Sequence, residues 1–188
     1  QHAPIIDVHA HFMPQRVLDK VWAYFDGAGP LTGRPWPITY RTDEGERLAT
    51  LRALGVRAFP SLNYAHRPGM AQWLNDWSTD FAARVPEAIH SATFYPEPGA
   101  AEYTQAAVDA GARIFKVHVQ VGDYPLDDPR LDDVWPVLER SRTPIVMHAG
   151  NGPAPGRFTG PAAVRDLLER HSPAAVRLLL LDRRLARR

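Results

Sequence analysis

The chain has 188 residues, 45% hydrophobic and 23% charged, an ordinary globular composition with enough apolar material for one core. A formal net charge of +1 offers no electrostatic case for a nucleic-acid or anionic-membrane partner, and the absence of Cys excludes disulfides, thiolate metal sites and thiol nucleophiles. No apolar run approaches the roughly 18 residues of a membrane span and the N-terminus lacks a signal-peptide pattern, so a cytoplasmic protein is expected.

The first predicted strand, about residues 4–10, runs through Ile5-Ile6-Asp7-Val8-His9-Ala10 and on to His11. Side chains i and i+2 share a strand face, so Asp7, His9 and His11 point one way and Ile6, Val8 and Ala10 the other. Two imidazoles from one strand end suit a single zinc, iron, nickel or copper ion. A helix follows, with Val17, Leu18, Val21 and Trp22 at helical spacing, then a Gly/Pro-rich loop over 26–42. A second helix spans about Asp43 to Leu54, stops at Gly55 and leads into strand two, Val56–Leu62. Helix 71–84 precedes strand three, Ala88–Tyr95, and helix 100–110 closes on Gly111 before strand four, Arg113–Val121. Helix 131–140 precedes strand five, Pro144–His148, and helix 161–171 precedes strand six, Val176–Asp182.

Strands alternating with helices imply βαβ units and a parallel sheet. The expected fold is α/β, a (β/α)₈ TIM-barrel type that is incomplete here, with about six βα units in one domain over 1–182 and a basic tail at 183–188. In strand four, Phe115, Val117, Val119 and Val121 share one face, and Lys116, His118 and Gln120 share the other. A polar inward face is costly unless hydrogen bonds, a cation or water satisfy it. Lys116, one of only two lysines in the chain, is therefore read as a cation near a site, binding a substrate carboxylate or pairing with a carboxylate such as Asp7. His118 is read as a group that orients substrate, by direct contact or through a neighbouring side chain, with a core histidine as the alternative. His148 ends strand five and opens a Gly-rich loop, at the barrel face where active sites lie. His66, on the loop after strand two, and Arg157, on the loop after His148, are further substrate-contact candidates; a loop histidine and an exposed arginine are the blander alternatives. His2, His90 and His171 carry no pattern, and Trp73 with Trp77 at i, i+4 on a helix reads as packing or a partner surface rather than a ligand box.

Ile-Asp-Val-His-Ala-His in strand one, Phe-Lys-Val-His-Val-Gln in strand four and Ile-Val-Met-His-Ala-Gly in strand five resemble the amidohydrolase superfamily. The similarity extends to Asn151–Pro161 and is greatest for the branch that contains aminocarboxymuconate-semialdehyde decarboxylase. The resemblance implies a barrel with one divalent metal ion, usually Zn²⁺, held by His9, His11 and His148. It also implies a catalytic His at the end of strand six and an Asp at strand eight, and neither is in this chain, so no catalytic residue is assigned. A C-terminal truncation, with the last dozen residues misread, is the expectation that follows.

The expected function is metal-dependent hydrolysis of a small amide, lactone or carboxylate substrate, impaired by the truncation. The alternatives are a non-oxidative decarboxylase of the same branch, or a non-catalytic or unstable fragment. A small-molecule substrate is expected as partner, with a homo-oligomer open.

Overall fold

The structure, a computed structural model, describes residues 4–171 and the backbone of 178–180. The basic tail at 183–188, most of strand six and His2 lie outside the described residues. Helices and parallel strands alternate from β1 (Ile5–Ile6) through α1 (Gln15–Asp26), α2 (Gly29–Thr32), α3 (Glu44–Ala53), β2 (Val56–Pro60) and α4 (Ala71–Arg84). The chain continues with β3 (Ala88–Ile89), β4 (Ser91–Ala92), α5 (Ala100–Asp109), β5 (Ile114–His118) and α6 (Val119–Gly122). It then forms α7 (Val134–Ser141), β6 (Ile145–His148), α8 (Pro161–Arg170) and β7 (Leu178–Leu180).

The strands lie in chain order, β1-β2-β3 in one sheet and β4-β5-β6-β7 in the next, and every pairing is parallel. Predicted strand three is thus two short pieces. Ala88 and Ile89 pair back to β2, while Ser91 and Ala92 pair forward to β5, with the break at His90. This one segment bridges the two sheets.

Alternation along β5 and β6 sorts the side chains. Phe115, Val117, Ile145 and Met147 are buried outward against Trp135, Leu138, Val164 and Leu167 of α7 and α8. On the inner face, Ile114 and Val146 pack with Leu62. A second core joins Phe12, Phe59 and Phe81 between β2, α3 and α4. Together these layers bury the apolar surface that holds the strand ends in place.

Two strand expectations are corrected. Regular pairing of β1 ends at Ile6, because the Asp7 carboxylate turns back to accept the His9 backbone N–H at 2.8 Å. The opposite face is not covered either: Ile6 is 62% and Val8 53% exposed, since no described helix packs there. Strand four stops at His118. Its Nδ1 accepts the N–H of Val121 at 3.2 Å and caps a helical turn, so Val119, Gln120 and Val121 leave the strand.

Candidate metal centre

The site is built from strand C-termini. Beyond β1 the chain stays hydrogen-bonded to the β2 side, with Phe12 N–H donating to the Ser61 carbonyl at 2.8 Å. This carries His9 and His11 to the end of β2. Their Nε2 atoms lie 2.9 Å apart, with the rings edge to face.

The orientation of His11 is fixed by its other nitrogen. His11 Nδ1 donates to the Leu62 carbonyl at 3.0 Å, so Nε2 carries the lone pair and turns it toward His9. Leu62 is fully buried and adopts φ 43°, the left-handed region that a branched residue rarely enters. That strained backbone aims the carbonyl at His11.

A second pair stands beside the first. His118 of β5 and His148 of β6 are register partners, and their rings stack at 3.9 Å with 10° between planes. The Tyr64 ring lies 5.0 Å from His118 and 6.0 Å from His11, and so joins the two pairs. Lys116, 1% exposed, shares the inner face with His118.

Burial and mutual charge leave His9, His11 and His118 neutral at pH 7. Desolvation, helped by the Lys116 charge, pushes His9 down to about 4 and His11 to about 3. Desolvation and the neighbouring His148 push His118 down to about 2. Burial alone lowers Lys116 to about 7, and Tyr64, equally enclosed, rises to about 12.

Four of these groups, His9, Tyr64, His118 and His148, line a cleft of about 2430 Å³, whereas His11 and Lys116 lie behind them. Its floor includes His9, Tyr64, His118 and His148, and its rim carries Gly150–Ala154 after β6. His66 lines the cleft but is exposed on the loop after β2. Arg157 does not line it: its side chain is 73% exposed and ion-paired with Asp123 at 2.5 Å. Asp7 has no ion pair with Lys116, its carboxylate being taken by His9 N–H.

The donor set fits a borderline divalent cation as a half-site. Two nitrogens bound to one zinc at about 2.0–2.1 Å stand about 3.0–3.4 Å apart, close to the His9–His11 spacing. Both rings are neutral, as ligation requires. Among the described residues no three His, Asp or Glu side chains converge on one point, so His148 stands with His118 rather than closing a three-ligand cage. The sequence reading missed Tyr64, whose only mark is its place two residues before His66 on the same loop. It also missed Leu62, because a positive φ at leucine leaves no trace in the sequence.

A parallel βα repeat with imidazoles gathered at strand C-termini defines the class, an α/β protein of barrel type centred on histidine. The family model described as Amidohydrolase matches residues 6–177, and the chain belongs to that family of enzymes, which is generally metal-dependent. No curated protein matches the chain. Among solved structures it is similar to an uncharacterised TIM-barrel protein from Bordetella bronchiseptica, with 18% identity, a TM-score of 0.69, and 94% of this chain and 66% of that one covered. It is also similar to 5-carboxyvanillate decarboxylase from Sphingomonas paucimobilis, with 19% identity, a TM-score of 0.64, and 94% and 67% covered. A protein described as an amidohydrolase II gives 18% identity and a TM-score of 0.63, with 92% and 65% covered. The chain thus spans about two thirds of the length of these structures. No helix among the described residues is long and apolar enough to cross a membrane.

Proposed function

We propose that the chain is a metal-binding hydrolase that acts on a small amide or lactone bearing a carboxylate. The observation behind this reading is the pair of neutral imidazoles, His9 and His11, whose Nε2 atoms meet at 2.9 Å where His9 lines the cleft. His9 and His11 would hold a divalent cation, most simply Zn²⁺; the third ligand that the sequence resemblance implies, His148, is stacked on His118 here and does not complete the set. When bound, such an ion supplies Lewis-acid polarisation of a substrate oxygen.

The chain's own groups do the rest. Leu62 fixes the His11 tautomer, and Tyr64, its hydroxyl protonated at any physiological pH, is a hydrogen-bond donor beside both histidine pairs. Lys116 has no hydrogen bond or ion pair among the described residues; it lies behind the cleft lining, and its ammonium form would favour a bound carboxylate through its charge rather than by contact. His118 stacks on His148 and limits how a substrate enters.

Decarboxylation is the second reading, favoured by Lys116: a cation beside the imidazole pair places a carboxylate at the reacting end. The structural likeness to 5-carboxyvanillate decarboxylase and the sequence resemblance to the aminocarboxymuconate-semialdehyde decarboxylase branch support it.

Both readings are tested by assaying the zinc-loaded protein against a panel of lactones and amides and, separately, for CO₂ release from aromatic carboxylates. Turnover that disappears in His9→Ala and His11→Ala is expected in one of the two assays. Turnover that survives both substitutions, or none in either assay, overturns the proposal.

A further inference from the structure

The outer wall of the cleft has a chemistry of its own. Helix α1 presents one continuous face to it, Arg16, Val17, Lys20, Val21 and Tyr24, in the i, i+1, i+4, i+5, i+8 pattern of a single helix side. Apart from Val17, which packs against the small cluster of Ala65, Met70, Ala71 and Leu74, this face is not spent on a core. Across from it, the Trp73 ring at the start of α4 lies under the Arg16 guanidinium, 4.1 Å from its centroid.

Stacking occupies the flat face of a guanidinium and leaves its in-plane N–H donors free to form a fork. Among the described residues no hydrogen bond or ion pair takes those donors, and none takes the Lys20 ammonium. The nearby carboxylates are used elsewhere. Asp19 accepts from Gln15 at 2.7 Å on another side of α1, and Glu97 accepts from Gly69 N–H and the Tyr103 hydroxyl. Among the described residues no Asp or Glu lines the cleft, whereas Arg67, on the loop leading into α4, adds a third cation. Trp36 supplies a further flat apolar wall.

We propose that this outer wall is an anion subsite, in which Arg16 and Lys20 hold an oxyanion that the substrate carries away from its reacting end on a flat apolar body lying against Trp73. Arg16 is already ordered by its stack, so little side-chain entropy is lost when its fork closes on the anion. Lys20, one helical turn further on, contributes a point charge on the same face. The substrate class is therefore an aromatic or otherwise planar molecule with an anionic group at each end. The inference rests on the floor of the cleft being the reacting end, as proposed above.

Isothermal titration of the full chain, metal-free and zinc-loaded, with three probes tests it. The probes are 2-naphthoate, naphthalene-2,6-dicarboxylate and 6-phosphonooxy-2-naphthoate. The expected result is that at least one of the two doubly anionic probes binds roughly tenfold tighter than 2-naphthoate, the scale of one charge-assisted contact. Which of them gains more distinguishes a carboxylate from a phosphate subsite. Arg16→Met, which keeps an apolar stem on Trp73, and Lys20→Met should each shrink that ratio toward one, with or without metal. A ratio near one in the unsubstituted protein, or one left unchanged by both substitutions, overturns the proposal. Because the ratio is read in metal-free protein as well, failure to bind zinc would count against the metal centre alone.

Discussion

Lys116 shows most directly what a single side chain costs here. Its amine is buried on a sheet face close enough to act on three imidazoles, His9, His11 and His118, and titrates near 7 rather than 10.5. Between those values the unfolded chain binds more protons than the folded one, so the stability of the metal-free protein rises with pH across that window. Below about pH 7 the full penalty of the buried charge is present, and above 10.5 it is gone. Lys116→Met removes the titrating group. The variant should therefore be more stable than the parent by a few kcal/mol below pH 7, at about 1.4 kcal/mol per pK unit, with the advantage shrinking as pH rises. Urea unfolding of both metal-free proteins at about pH 6.5, 8 and 9.5 measures it; an advantage independent of pH would show that Lys116 is solvated in the folded state. The same substitution removes the charge that helps hold His9 and His11 neutral, so both imidazoles should titrate higher in the variant.

At the scale of elements, the loop after β6 shapes the cleft through close packing on α6. A Cβ at Gly156 would lie 2.6 Å from Thr159 Cγ2, 2.9 Å from Gln120 Cγ and 3.2 Å from the Gln120 Cα. Flexible side chains can move aside, but the Gln120 backbone cannot without disturbing the turn that His118 caps. Gly156→Ala should therefore cost about 1–3 kcal/mol and displace the loop that forms the cleft rim. Thermal unfolding with limited proteolysis of 150–160 checks this, and an unchanged melting temperature with unchanged cleavage would contradict it. Elements were legible in the sequence where period and punctuation agreed. Helix α3 is bracketed by Asp43, whose side chain accepts the Glu46 N–H, and by Gly55 at φ 80°. The end of β5 was not legible: Val119 and Val121 favour a strand by propensity, and the side chain of His118 overrides them locally. Nor was the break at His90, which exists only because one segment serves two sheets.

For the molecule as a whole, alternation of strand and helix was enough to predict a parallel α/β architecture, and the likeness to TIM-barrel structures agrees. The candidate site was legible as residue types and strand positions: His9, His11, Lys116, His118 and His148 are brought to one end of the sheets. What one-dimensional reading could not supply was how they meet. The stack of His118 on His148 depends on the register of β5 with β6, and the His9–His11 contact depends on a buried leucine carbonyl from β2. Arg157, chosen for its place on the loop after His148, is turned outward by an ion pair with Asp123 that no local signal announced. The central claim is that His9 and His11 form a divalent-metal half-site, and metal analysis of the purified chain tests it most directly. Zinc titration after chelation, followed by equilibrium dialysis, should show one bound ion per chain, with affinity lower by on the order of 10²-fold in His9→Ala and in His11→Ala. Binding of equal strength in all three proteins, or no binding to the unsubstituted chain, would contradict it.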